Sequence, residues 1–128
     1  QLYMSEVQLS DCLTFPKGVS ASKILEAMRD AQTTESYILN TDGSLHGKLD
    51  LHVLISSQDD FETQLDTTPI SLETKNSLTE SLEIASDFVG ESIPVMKDGI
   101  FVGAITEGDL FKKVLEVEES LRGEGALK

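Results

Sequence analysis

One segment of about 50 residues occurs twice in this chain. Residues 96–110 read MKDGIFVGAITEGDL, and a weaker copy 56 positions earlier, residues 40–54, reads NTDGSLHGKLDLHVL. A repeat of this length is normally one supersecondary unit, which buries its apolar face against the neighbouring copy. Because the chain has only 128 residues, the repeat predicts one compact domain made of two similar halves.

The residue pattern in each copy predicts a helix, two strands and a second helix. Apolar residues at helical spacing mark the first helix of each copy, Ile24, Leu25, Met28 and Ala31 in copy one and Leu78, Leu82, Ala85 and Val89 in copy two. Ser20 or Ser22 can cap the first of these helices, and Ser77 can cap the second. A short extended stretch before each helix, at residues 13–15 and 68–71, can add a further strand.

An Asp-Gly pair lies between the two predicted strands of each copy. Asp42-Gly43 and Asp98-Gly99 both predict hairpins, because the primed turns of short hairpins need positive φ. The second helix follows at residues 107–121 in copy two and, more weakly, at 51–57 in copy one. The acidic segment that joins the copies is expected to be partly helical around Phe61 and Leu65.

The charge of the chain restricts its partners. There are 23 acidic and 10 basic residues, a net charge of −13, so the surface repels nucleic acid and anionic lipid headgroups. Its expected partners are cations, basic protein surfaces or a small ligand in a local pocket. The single cysteine, Cys12, excludes an internal disulfide and fits a reducing compartment.

The second copy carries a specific combination of features in IPVMKDGIFVGAITEGDLF, residues 93–111. An apolar-Pro-Val strand and an Asp-Gly hairpin are followed by a Gly four residues on and by Thr-x-x-Asp at the start of a helix. With two copies of strand-helix-strand-strand-helix, this resembles a tandem CBS-domain pair, also called a Bateman module, over nearly the whole chain. Copy one departs from the pattern, with Ile38, Asp50 and Val53 where copy two has Pro94, Thr106 and Asp109.

The resemblance implies an α+β fold of two CBS motifs, each β-α-β-β-α, packed with pseudo-twofold symmetry around two clefts. The expected divisions are an N-terminal lead-in (1–11), CBS motif 1 (12–58), a linker (59–67), CBS motif 2 (68–121) and a flexible tail (122–128). Such pairs commonly form homodimers and often bind adenosine compounds in their clefts.

Thr106 and Asp109 are the strongest candidates for ligand contacts. Read locally, they form a capping box, in which Thr106 caps the backbone N–H three residues on and Asp109 reaches back. A helix N-terminus also offers unpaired N–H donors to a phosphate, and a carboxylate can accept hydrogen bonds from ribose. The resemblance assigns these phosphate and ribose roles to Thr106 and Asp109. Since Val53 cannot accept such a bond and Asp50 would repel phosphate, at most one nucleotide cleft per chain is expected.

Further nucleotide-binding candidates lie on the strands expected to line the clefts. Tyr37 can stack on adenine, or it is a half-buried strand aromatic with its hydroxyl in water. Thr14, Ile38, Ile93 and Pro94 complete the set, with Thr14 also readable as a plain loop threonine.

No catalytic motif or nucleophile–base pair is present in the sequence, so we expect no enzyme activity and no metal-ligating residues. The acidic clusters at 59–62 and 116–119 are interpreted as solvated faces.

Similarity of residues 42–55 and 92–114 to ClC-type chloride channels and transporters suggests the regulatory part of such a protein, attached to a transmembrane domain at the cytoplasmic face of the membrane. It would bind ATP, ADP or AMP. The alternatives are a Mg²⁺-sensing CBS module of a cation transporter and a ligand-free dimerisation scaffold.

Overall fold

Two small mixed sheets, one from each half of the chain, carry the fold. The computed structural model describes residues 2–126, with side chains through residue 123. The first half contains β1 (Thr14–Pro16), α1 (Ala21–Ala31), β2 (Glu35–Leu39), β3 (Leu45–Asp50) and α2 (Leu51–Ser57). The second half contains β4 (Leu72–Glu73), α3 (Leu78–Ala85), β5 (Ser92–Lys97), β6 (Ile100–Thr106) and α4 (Glu107–Ala126). The predicted α+β fold of two β-α-β-β-α units is confirmed.

The two sheets have the same topology, and their parallel strand pairs have the same register. Their strand orders are β1-β2-β3 and β4-β5-β6, each with a parallel pair followed by an antiparallel pair. Pro16 pairs with Leu39 in one sheet, and Leu72 pairs with Val95 in the other. Since both members of the second pair lie 56 residues after those of the first, the repeat in the sequence is a repeat in the structure.

Local side-chain chemistry fixes where the first helix of each half begins. The hydroxyl oxygen of Ser20 accepts the backbone N–H of Lys23 at 3.4 Å, and that of Ser77 accepts the N–H of Glu80 at 3.1 Å. Both serines have extended backbone angles, as N-caps do. Of the two serines considered for the first helix, Ser20 is therefore the cap and Ser22 lies inside the helix.

Each half has its own apolar core. One contains Ile24, Met28, Ile38, Leu49 and Leu54, and the other contains Leu72, Ile93, Val95, Ile105 and Leu110. The linker contributes to the first core, because Phe61 and Leu65 are buried in it around a 3-10 helix at Gln58–Gln64. Asp59 of the same segment is exposed, as expected, and its carboxylate also accepts the backbone N–H of Ala21 at 3.0 Å, which stabilises the start of α1.

Several local expectations are wrong. Helix α3 ends at Ala85 and leaves Val89 exposed, since the Ser86 hydroxyl donates to the carbonyl of Glu83 and Gly90 takes a positive φ. Ala31 is exposed at the end of α1 instead of lying in the core. Strand β4 begins at Leu72, just beyond the segment predicted for it.

The two hairpins also differ from each other. Asp98 and Gly99 both have positive φ, as a primed two-residue turn requires. The first hairpin has a longer loop, in which the N–H of Asn40 donates to the carbonyl of Ser44 and only Gly43 has positive φ. Within this loop the Asp42 carboxylate accepts both the backbone N–H and the hydroxyl of Ser44, as Asp residues in turns commonly do.

At the end of the chain, α4 continues through residues 122–126, which the sequence assigned to a flexible tail, and residues 127–128 lie outside the described residues. The other predicted divisions, 1–11, 12–58, 59–67 and 68–121, stay predictions.

Candidate functional site: a cleft between the two halves

A cavity of about 470 Å³ opens between the two halves. One wall is built from the segment before β1, the end of α1 and the beginning of β2. The opposite wall is built from the beginning of β5 and the end of β6. Its lining residues are Ser10, Asp11, Cys12, Leu13, Ala31, Thr33, Glu35, Tyr37, Ser92, Ala104, Ile105 and Thr106. The volume lies in the usual range for sites that hold a small organic ligand.

Tyr37 connects the two walls. Its hydroxyl forms a 2.6 Å hydrogen bond with the Ser92 hydroxyl, and its ring lies 5.0 Å from that of Phe101, centroid to centroid. The side chain is 1% exposed, and burial raises the pKa of Tyr37 well above its usual range. The phenol is therefore a neutral hydrogen-bonding group at the base of the cleft.

A buried lysine joins the walls a second time. The Lys48 ammonium lies 2.6 Å from a carboxylate oxygen of Glu35 and donates to the carbonyl oxygen of Ser92 at 2.7 Å. The Glu35 carboxylate also accepts the backbone N–H of Ser92 at 3.0 Å. Glu91 adds a third, longer contact to the ammonium at 3.6 Å. These contacts hold the beginning of β5 against the beginning of β2.

Thr106 lies where β6 becomes α4, at the rim of the cavity. Its hydroxyl oxygen accepts the backbone N–H of Asp109 at 3.1 Å, which is the N-cap bond expected from the sequence. Because that bond uses an oxygen lone pair, the hydroxyl hydrogen stays able to donate to a ligand.

Comparison with known proteins gives a result at the level of structure only. No protein-family model matches the chain, and no curated protein matches it in sequence. Among solved structures, a CBS domain pair/ACT domain protein from Thermotoga maritima superposes with a TM-score of 0.77 at 16% identity, covering 91% of this chain and 98% of that one.

Two further matches were solved with nucleotides bound. CBSX2 in complex with AMP has a TM-score of 0.76 at 12% identity and covers 92% of this chain and 99% of that one. The cytosolic domain of the Mg²⁺ channel MgtE in complex with ATP has a TM-score of 0.68 at 20% identity, covering 79% of this chain and 44% of that one.

This chain has the fold of a CBS-domain pair. The identities are low, so the comparison establishes the fold of the pair and nothing finer about this chain.

The fold brings some of the predicted site residues to the cleft and leaves others elsewhere. Tyr37 and Thr106 line the cavity, although the Tyr37 hydroxyl binds Ser92 rather than water. Ile38 and Ile93 are buried in the two apolar cores. Pro94 is buried in β5 opposite Ala104.

Thr14 and Asp109 lie outside the cavity wall. Thr14 is exposed on β1, and the residue before it, Leu13, is the one that lines the cavity. Asp109 is exposed in the first turn of α4, one turn beyond Thr106. Their predicted contacts with a nucleotide stay predictions.

Lysine 48 is at the position in copy one that corresponds to Ala104 in copy two. The segment before each repeat pairs with these two residues in the same way, Ser10 with Ala104 and Asp66 with Lys48. Ala104 lines the open cleft, whereas the Lys48 side chain extends to Glu35, Glu91 and Ser92 between the halves. A long, charged side chain therefore lies between the halves at the position where copy two has only the methyl group of Ala104.

The sequence reasoning missed Lys48, Glu35 and Ser92. The repeat alignment contains one signal for the lysine. It puts Gly47 on Gly103, so the next residue is a long charged side chain, Lys48, in copy one and a small apolar one, Ala104, in copy two. Nothing in the alignment shows that Glu35 and Ser92 meet it, because Glu35 lies on the neighbouring strand of the same half and the contact with Ser92 crosses to the other half.

Two other acidic or nucleophilic groups border the cleft region. Burial raises the pKa of the Cys12 thiol, and the Asp11 carboxylate raises it further, so the thiol is protonated at neutral pH. Burial also raises the pKa of Asp50, although Lys48 acts in the opposite direction. Asp50 occupies the position that corresponds to Thr106.

Within the described residues, no group of three or more His, Cys, Asp or Glu side chains is arranged to hold a metal ion. Over the same part of the chain, no helix is both long and apolar enough to span a bilayer.

Proposed function

We propose that this CBS pair is a regulatory module that binds an adenine nucleotide or its nucleoside in the cleft beside Thr106. The observation that carries the proposal is the 470 Å³ cavity between the halves, with a strand-to-helix threonine at its rim. Proteins with the same fold were solved with AMP and with ATP. No chemistry by the module itself is proposed.

Each wall has a role in this proposal. The Thr106 hydroxyl donates to the ligand, and Asp109 turns toward the cleft to accept a ribose hydroxyl. Tyr37 supports the ligand mainly with its hydroxyl, because its ring is already packed against Phe101. Backbone groups around Ile38, Ile93 and Pro94 lie on the neighbouring strands, while Thr14 contributes through its position on β1.

Isothermal calorimetry with adenosine, AMP, ADP and ATP tests the proposal. Thr106→Val should weaken binding roughly three- to tenfold, since one hydrogen bond contributes about 0.5–1.5 kcal/mol. Thr106→Ser retains the hydroxyl and the N-cap, so its affinity should stay close to that of the native protein. The absence of binding by all four compounds at millimolar concentration would refute the proposal.

A magnesium sensor is the second candidate, and the net charge of −13 and the similarity to the MgtE cytosolic domain favour it. Mg²⁺ would screen acidic faces that repel each other. If so, millimolar MgCl₂ should raise the Tm more than NaCl of equal ionic strength, with a change in mass by light scattering. Equal effects of the two salts would show only general screening.

The host and assembly are also proposals. Motif similarity favours a ClC-type chloride channel or transporter, and the structural match favours a magnesium channel; residues that precede Gln1 in a full-length protein would distinguish them. In either host the module would act at the cytoplasmic face of the membrane.

We propose a homodimer, consistent with Phe111 and Leu115, which are exposed one turn apart on α4. The mass measured by light scattering tests this directly.

A further inference from the structure

The charge of the cleft differs from that of a site built for phosphate. Of the twelve described residues that line it, none is a lysine, an arginine or a histidine. Two of them are acidic, Asp11 and Glu35. A site that binds a polyphosphate directly usually supplies cationic side chains to it.

The nearest cation is already matched by acidic groups. Lys48 contacts Glu35 at 2.6 Å and Glu91 at 3.6 Å, and it donates to the Ser92 carbonyl. One positive charge therefore faces two negative charges and a carbonyl oxygen. Lys48 does not line the cavity, so a ligand phosphate would have to displace these contacts to reach it.

The positive end of the α4 helix dipole does not cancel the negative charge around the cleft. Its exposed N–H groups and dipole are equivalent to about half a positive charge. The first turn, however, contains two carboxylates, Glu107 and Asp109. On the opposite wall, Asp11 adds another negative charge, so an entering phosphate meets net negative charge from both sides.

The uncharged groups of the cleft suit a nucleoside. Tyr37, Ser92 and Thr106 present hydroxyls to ribose and adenine. One hydrogen is used in the Tyr37–Ser92 bond, so two hydroxyl hydrogens can donate to a ligand and all three oxygens keep a lone pair that can accept. Leu13, Ala104 and Ile105 supply apolar surface for a base.

We infer that the cleft ranks adenosine compounds by decreasing negative charge, with adenosine bound more tightly than AMP, and AMP more tightly than ATP, when no divalent cation is present. This ranking rests on the proposed function and specifies its ligand class. Magnesium bound to the phosphates should reduce the differences in affinity between adenosine, AMP and ATP, because it neutralises part of the phosphate charge.

Calorimetry on the complete chain tests the ranking with adenosine, AMP and ATP in EDTA, first at low ionic strength and then at about 0.15 M salt. The affinities should fall in that order at low salt. They should converge at 0.15 M, where the Debye length is about 8 Å.

A variant that removes the Asp11 charge tests whether this carboxylate lowers the affinity for AMP. Asp11→Asn should raise the affinity for AMP roughly two- to fivefold, since it removes one nearby like charge, and should leave adenosine within about twofold. The control is Asp98→Asn, which removes the same charge from the turn at the far end of the β5–β6 hairpin. Its AMP affinity should equal that of the native protein.

The possible failures are distinct. If ATP binds more tightly than adenosine in EDTA, or if all three bind equally, the ranking is wrong and the proposed function stands. If Asp11→Asn and Asp98→Asn have the same effect, the inference that the lining of the cleft sets the ranking is wrong. If no adenosine compound binds, the proposed function fails and the ranking fails with it.

Discussion

Ala104→Lys is expected to abolish ligand binding in the cleft, with an affinity loss of at least about a hundredfold, or about 2.7 kcal/mol. Residue 104 lines the cavity with a methyl group, and the corresponding residue of copy one is already a lysine. The new side chain would extend across the cavity toward Asp11 and Glu35, which can pair with its ammonium. Calorimetry with adenosine and AMP measures the loss.

The matched control is Val102→Lys, which adds the same charge to the same strand at an exposed position outside the cavity wall. We expect that variant to bind like the native protein or slightly better, because it places a positive charge on an acidic chain. The urea midpoints of both variants report whether they fold. A folded Ala104→Lys variant with native affinity would show that the ligand site lies elsewhere.

Lys48→Met is expected to lower the free energy of unfolding by about 2–4 kcal/mol. The substitution removes the ammonium but leaves Glu35 and the Ser92 carbonyl without their partner between the halves. Removal of one member of a buried ion pair costs about 3–5 kcal/mol when the remaining charge is fully enclosed. Glu35 is 18% exposed, so water solvates part of its charge and the expected loss is smaller. Urea denaturation followed by circular dichroism measures it.

Two comparisons show whether the unpaired carboxylate causes the loss. The double variant Lys48→Met with Glu35→Gln should recover part of the stability, since it removes the remaining charge. Lys75→Met removes an exposed lysine on the loop before α3 and should change the stability by less than about 0.5 kcal/mol. A loss of that small size for Lys48→Met would mean that the lysine contributes nothing specific to the contact between the halves.

Predictions from local sequence rules are correct where the responsible contacts are close in the chain. Ser20 and Ser77 cap helices because their hydroxyls reach backbone N–H groups three residues on. Asp98 and Gly99 form a primed turn because the pair tolerates positive φ. The same rules failed at Val89 and Ala31, where apolar periodicity continued past the point at which the helix left its core.

The candidate site was only partly predictable. Thr106 and Tyr37 could be found from the repeat and its resemblance to CBS pairs, and both line the cleft. Asp11 and Glu35 could not, since an acidic residue in a chain with 23 of them carries no signal of its own. Asp11 and Glu35 affect ligand binding only because two different segments of the chain bring them to the same cavity.

The residue pattern alone is enough to predict that this chain folds as two similar halves, because each copy carries its own helix caps, turn residues and alternating apolar positions. Asp50 and Val53 already predict that copy one lacks the ligand contacts of copy two, whereas the role of Lys48 between the halves emerges only in the folded chain. A lysine and an alanine at corresponding positions look like ordinary variation in a repeat. The difference takes effect only when the halves meet, since burial of the Lys48 ammonium requires Glu35 on a neighbouring strand and Ser92, 44 residues away in the other half.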